Sequence, residues 1–173
     1  VAAVQDGVLA YVPRQYQAAD ELPWPVLTQA AGELVFDRLS VQVRGARAAI
    51  QGMPAVQLAK AEMRIADLHQ PAVVAAGFEV RAPAADLLAL VNGSPLGALV
   101  GQQLAQASVN GMADARVRLV VPVGTPEKST VQGSVSLPGN DLLLAPEVPR
   151  LQRVRGTLNF TESGFTLAGV QAR

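Results

Sequence analysis

The sequence predicts a mainly β protein with one helical pair, built from repeated antiparallel hairpins, and three observations carry that prediction. The first is a spacing rule: three stretches place apolar residues at the second, fourth, ninth and eleventh positions after a glycine, with no gap needed to align them. Gly32 leads to Leu34, Phe36, Val41 and Val43; Gly133 leads to Val135, Leu137, Leu142 and Leu144; Gly156 leads to Leu158, Phe160, Phe165 and Leu167. Side chains two apart on a strand share a face, so each copy reads as a strand, a turn of about four residues and a returning strand. The second observation is that Gly111, Gly133 and Gly156 recur about every 23 residues, the length of two strands and two turns. The third is bulk composition. Half the residues are apolar, only 16% are charged and mean hydropathy is +0.25, so much of this surface must be buried or used in binding.

Taken in order, residues 1–31 read as a hairpin and a proline-rich connection. Val1–Val4 and Val8–Val12 are the expected arms, turning at Asp6-Gly7. From Pro13 to Gln29 regular structure is not expected, because Pro23 and Pro25 flank Trp24, which is predicted to anchor the segment. Residues 32–81 read as four or five strands, of which Val74, Ala76, Phe78 and Val80 give the best alternation. The apolar parity changes near Gly45 and again near Ala59-Lys60, where β-bulges are expected.

Residues 83–107 read as the helical pair. Leu87, Leu88, Leu90 and Val91 fall at helical spacing and Asn92-Gly93 is a stop signal. Ser94 is the expected N-cap of a second helix, with Pro95 at its first position and Leu96, Leu99, Val100 and Leu104 on one face. Residues 109–173 return to hairpin repeats, beginning with the alternation Ala113, Ala115, Val117, Leu119, Val121 and Val123. The turn formers Pro138-Gly139-Asn140-Asp141 and Thr161-Glu162-Ser163-Gly164 suit hairpins; Asp37-Arg38-Leu39-Ser40 suits one less well.

About nine strands at ~4.8 Å spacing give a sheet roughly 43 Å wide. Two helices, each about 10 Å across, cover half of it. The remaining apolar face must curve into a trough, or close as a β-sandwich or an α+β two-layer structure, and periodicity does not choose between these.

Composition and motifs argue against catalysis and nucleic-acid binding. Fourteen basic residues balance fourteen acidic ones and aromatics make up 4%, which leaves neither the charge nor the stacking surface for nucleic acid. His69, the single histidine, sits near Asp67 and Glu62; with no cysteine in the chain it reads as a surface residue rather than a metal ligand. No calcium loop, nucleophile elbow, phosphate loop or dinucleotide fingerprint is present, so neither an enzyme nor a cofactor is expected. Gly93, Gly97 and Gly101 read as close helix packing, and Arg150, Arg153 and Arg155 as an outer strand face. No apolar run is long enough to span a bilayer. The chain is expected to be a single β-rich segment of a longer protein, with anchors and targeting signals elsewhere.

The segment from Val131-Gln-Gly-Ser-Val-Ser-Leu-Pro-Gly-Asn-Asp to Pro149-Arg-Leu-Gln-Arg-Val-Arg-Gly-Thr-Leu-Asn-Phe resembles the central region of YhdP-type proteins. These belong to the AsmA-like group that includes TamB. The order of the earlier parts is similar too, from the Gly32-Glu-Leu-Val-Phe hairpin to the leucine-rich stretch ending Asn92-Gly93-Ser94-Pro95-Leu96, so the likeness covers about Leu22 to Arg173. The resemblance implies a curved, taco-like β-groove from a Gram-negative envelope protein. Such a protein is anchored in the inner membrane, crosses the periplasm and passes phospholipids toward the outer membrane, serving its biogenesis. It implies no catalytic residue, cofactor or metal. The partners it implies are phospholipid acyl chains, neighbouring β-segments of the same chain and, through other parts of the full protein, the membrane. The apolar positions that it makes candidates for the groove are Leu34, Phe36, Val41, Val43, Val135, Leu137, Leu142, Leu144, Leu158, Phe160, Phe165 and Leu167. The alternative function is a structural or interaction scaffold of the envelope that carries no lipid.

Overall fold

The computed structural model describes residues 1–10, 14–69, 71–99, 104–125 and 128–172. Among them, strands make up 62% of the structure and join into one curved, unclosed antiparallel sheet. The strands are β1 (Ala2–Leu9), β2 (Leu27–Asp37), β3 (Ser40–Ile50), β4 (Met53–Ile65), β5 (Val73–Pro83), β6 (Ser108–Val109), β7 (Met112–Pro122), β8 (Thr130–Leu143), β9 (Leu151–Thr161) and β10 (Gly164–Gln171). Their order in the sheet is β1-β2-β3-β4-β5-β7-β8-β9-β10, with the short β6 also pairing β8. Each long strand therefore lies beside its neighbours in sequence, and β1 and β10 are the unpaired edges. Since the described strands form one sheet, the sandwich alternative does not hold; the helical layer covers one end only.

The centre of the sheet is regular and the wings are bulged. β5 and β7 stay in register from Val73↔Pro122 to Pro83↔Met112 without a break. On one wing the register shifts at Val4/Gly7 in β1, Thr28/Ala31 in β2, Val43/Ala46 in β3 and Ala59/Glu62 in β4. Each shift coincides with a left-handed residue: Asp6 (φ 52°), Gln29 (φ 52°), Gly45 (φ 56°) and Lys60 (φ 50°). On the other wing Gly139, Arg153 and Gly169 also have positive φ, close to shifts at Pro138/Asn140 and Ala168/Gln171. A bulge adds a residue to one strand, bends it and increases its twist. A row of them on each side of a regular centre bends the sheet about that centre.

Two sequence expectations fail for a shared reason. Ala2–Leu9 form one strand paired to β2, not a hairpin; Asp6-Gly7 is a bulge within it, and Tyr11 and Val12 lie outside the described residues. Likewise Pro138-Gly139-Asn140-Asp141 is not a turn, since β8 runs straight through it. The partner strand is supplied by β9, with Asn140 opposite Val154 and Leu142 opposite Leu151. The other two copies are hairpins that turn where expected, closing at Asp37↔Ser40 and Thr161↔Gly164. β2 also begins at Leu27, so Gly32 lies inside the strand rather than at its start. Trp24 is half-buried, and Gln51 N–H donates to Val26 O (2.9 Å), fastening the end of the connection to the β3–β4 turn.

Helix α1 (Ala84–Asn92) follows β5 directly, and α2 (Leu96–Leu99) is a single turn. The expected continuation through Val100 and Gly101 lies outside the described residues. Ser94, the expected cap of the second helix, donates its hydroxyl back to Val91 O (3.3 Å) at the end of α1. Leu87 and Leu90 of α1 pack on Ile50, Val56, Leu58, Val80, Ala82 and Ala115. Leu87 also reaches the adjoining group of Ala84, Ala113, Leu137, Leu142 and Val154. The helix is therefore core, and it seals one end of the strands. Gly45 offers a test of the bulge row. A Cβ there meets nothing within 4 Å, so any cost is purely that of a left-handed backbone. Gly45→Val is expected to lower the unfolding free energy by about 1–2 kcal/mol in equilibrium urea denaturation.

Candidate functional site: the open apolar face

The register settles which side chains share a face. One row runs Leu34–Val43–Met63–Ala76–Leu119–Val131, each residue opposite the next on the neighbouring strand. A second runs Phe36–Val41–Ile65–Val74–Val121. On the other side of the centre, Phe78–Val117–Gly133–Phe160–Phe165 and Val80–Ala115–Val135–Leu158–Leu167 continue the same face. These rows run across the strands, nearly edge to edge. At about 4.8 Å per strand the path spans roughly 38 Å.

The opposite face is polar. Glu79 receives Lys60 Nζ (2.9 Å) and Arg116 Nε (3.2 Å), and Arg81 faces Asp114 (3.7 Å). Further across, Ser134 pairs with Asn159 and Ser136 with Thr157. Curvature brings together the side chains of a concave face and splays those of a convex one. Leu119 and Val121 are half-buried whereas Val120 between them is exposed, so the apolar face is the inner one.

Not all of the candidate residues lie in the open part. Leu34, Val41, Val43, Leu158, Phe160, Phe165 and Leu167 are half-buried floor positions, and Phe36 stands 60% exposed at the rim. Leu137 and Leu142 are buried in the helix-covered core and Leu144 packs against it; Val135 touches both core groups and marks the boundary. Leu142 and Leu144 fall under the helix because β8 continues where a turn was expected. The candidate set also omitted Met63, Ile65, Val74, Ala76, Val117, Leu119 and Val121, which complete the floor. Their alternation was visible in sequence; what was missing was the pairing that places them beside Val41 and Val43.

Phe160 has a structural duty as well. A Cβ on Gly133 would fall 2.8 Å from Phe160 Cε1 and 2.5 Å from Arg116 O, so the ring lies down over the glycine. The aromatic side chain is laid along the floor rather than raised into the trough. At the sealed end, Asn140 is buried and donates Nδ2 to Asn110 O and to Met112 O (3.0 Å). Asp141 beside it accepts from Arg153 N–H (2.9 Å) and Asn110 Nδ2 (3.4 Å), tying β6, β8 and β9 together. His69 is exposed, its N–H donating to Asp67 Oδ1 (2.7 Å) within its own loop.

The fold and this face together define a class: an open β-sheet with one apolar surface presented across its strands and one end sealed by a helix. The family described as YhdP protein matches residues 1–173, and the chain belongs to the YhdP family. It is a family of envelope proteins. No curated protein and no solved structure matched the chain. No helix among the described residues is long and apolar enough to cross a membrane.

Two glycines on the strands either side of β7, Gly77 in β5 and Gly133 in β8, provide a contrast. A Cβ on Gly77 meets nothing closer than 3.8 Å, so Gly77→Ala is expected to stabilise by about 0.5 kcal/mol. Gly133→Ala must displace Phe160 and press on Arg116 O, and is expected to cost about 1–3 kcal/mol. Urea midpoints of the two variants check both. Acid supplies a further test. The hydrogen bond from Lys60 is the main cause holding Glu79 below its ordinary pKa, and the bond from Arg153 N–H does the same for Asp141. A carboxyl whose folded pKa is depressed contributes stability that is present above its unfolded pKa and lost as pH falls through the folded one. Denaturation midpoints should therefore fall from about pH 5 downward, with a shallower decline in Glu79→Gln and Asp141→Asn.

Proposed function

We propose that this chain is one segment of a periplasmic bridge that carries phospholipids between the inner and outer membranes, with acyl chains lying along the apolar rows. The observation that carries the reading is a continuous hydrocarbon surface running across the strands, covered by α1 at one end and open along the rest. Removing each methylene of a lipid tail from water is worth roughly 0.8 kcal/mol. A face of Val, Leu, Met, Ala and Phe supplies that gain at every position without a preferred stopping point. Phe160, held down on Gly133, keeps the lane clear where a raised ring would stand in it. Headgroups stay in water above the floor, so no polar pocket and no catalytic step is assigned.

The outer edges of β1 and β10 suit a place in a longer sheet. β10 carries no charged side chain, whereas exposed edges usually carry one against unwanted pairing. Neighbouring β-segments of the same protein are the proposed partners there, and an N-terminal anchor in the inner membrane belongs to other parts of the full protein. A scaffold function without lipid is the competing reading.

Adjacent residues on opposite faces separate the two. Leu119→Asp places a charge on the floor, and Val120→Asp places the same charge outside. Phospholipid co-purified with the protein, extracted with organic solvent and measured by mass spectrometry, is expected to drop at least roughly tenfold in Leu119→Asp, in keeping with the cost of an unpaired charge against hydrocarbon, and to be unchanged in Val120→Asp. Equal lipid in both variants would sink the groove reading in favour of the scaffold.

A further inference from the structure

At the α1 end the side chains under the helix are enclosed, Val56, Ala82, Ala113 and Val154 having no exposed surface, while Leu9, Leu22, Met112 and Val148 around it remain exposed. At the far end no described helix lies over the strands. Phe36 is 60% exposed, Leu39 42%, Leu68 49% and Val123 57%. Leu39, Leu68 and Val123 stand on three neighbouring connections, β2–β3, β4–β5 and β7–β8, with Phe36 near the end of β2 beside the first. The connections are joined by main-chain hydrogen bonds, Leu68 N–H to Leu39 O (2.9 Å) and Val123 N–H to Ala72 O (2.8 Å). Pro71 lies against Gly124, with 3.9 Å from its Cβ to the position of an added Cβ. The exposed residues thus form a fixed apolar ridge instead of isolated loop tips.

We infer that this ridge is a lateral mouth of the groove, over which lipid acyl chains pass sideways between the trough and its surroundings; the inference rests on the lipid-carrying reading above. Continuity with the floor selects the occupant. Phe36 is the first member of the row Phe36–Val41–Ile65–Val74–Val121, so the hydrocarbon surface reaches the rim without a polar break. Charge argues against a docking site for an anionic membrane surface. On and beside these connections the sequence sets Asp37, Asp67 and Glu127 against Arg38 and Lys128, a slight negative excess. An exposed apolar ridge of this kind otherwise costs solubility and marks a contact surface. At the other end α1 occupies the floor of the central strands, packing on Ile50, Val56, Ala82 and Ala115, so no such open rim is available there.

The test places a photoreactive amino acid singly at Leu39, Leu68 or Val123 on the ridge, at Leu119 on the floor, and at Gln51 by the sealed end. The protein is incubated with vesicles of phosphatidylethanolamine and phosphatidylglycerol, irradiated and analysed by mass spectrometry. Lipid adducts at the ridge and the floor, with none at Gln51, support the mouth. Adducts at Leu119 alone overturn it while leaving the groove intact. Absence of adducts everywhere overturns both readings. Cross-links from the ridge to a second copy of the chain overturn the mouth and make the ridge a subunit contact. Independently, Leu68→Asp is expected to slow lipid uptake from these vesicles roughly tenfold without changing the amount held at saturation; an unchanged rate counts against the inference.

Discussion

Everything in this molecule depends on face parity being kept from strand to strand. Side chains alternate, so a slip of one residue sends a whole strand's apolar set to the wrong side. Leu58 and Met63 are separated by an odd number of residues and in a regular strand would point opposite ways. Their partners Val80 and Ala76 are separated by an even number and share a face. The extra residue at Lys60, with its left-handed backbone, reconciles the two. The bulge thus bends the sheet and corrects the count in one step. Asp6, Gln29 and Gly45 sit at the corresponding breaks in the three strands beside it.

The parts of this arrangement that sequence made legible are those where local pattern and partner agree. Parity breaks at Gly45 and Lys60 were visible because apolar residues change phase there, and the Asp37–Ser40 and Thr161–Gly164 turns fall between matched arms. Asp6-Gly7 and Pro138-Gly139-Asn140-Asp141 misled because the same chemistry serves two purposes. Both a hairpin turn and a bulge need a residue in the left-handed region, and Gly, Asn and Asp accept it most readily. Only the neighbouring strand decides which one forms. At Asn140 the decision is made by Asn110 and Met112, some thirty residues away, whose carbonyls hold the buried side chain in place.

The same ambiguity governed the candidate groove residues. Leu142 and Leu144 carry the spacing of the other copies and still end in the core, since their strand never turns back. Phe36 and Leu137 both stand fourth after their glycines, yet Leu137 is buried in the core and Phe36 ends on the rim. Equal sequence position within a repeat therefore does not mean equal depth in the fold. What distinguishes the two is where α1 lies, and α1 is placed by the tight junction between β5 and the helix, Pro83 to Ala84. The helix also gives the sheet its only enclosed core among the described residues, so packing stability and the open surface occupy opposite ends of the same strands.

Because each long strand touches only those before and after it, the architecture grows in one dimension. A further hairpin added at β1 or β10 would lengthen the trough by roughly 9.6 Å and leave every existing contact intact. Reach is thereby uncoupled from cross-section: the number of hairpins sets how far such a structure extends, while the bulges and the flanking helix set how wide it is. A molecule of this design can be matched to a gap of almost any size without redesigning its interior.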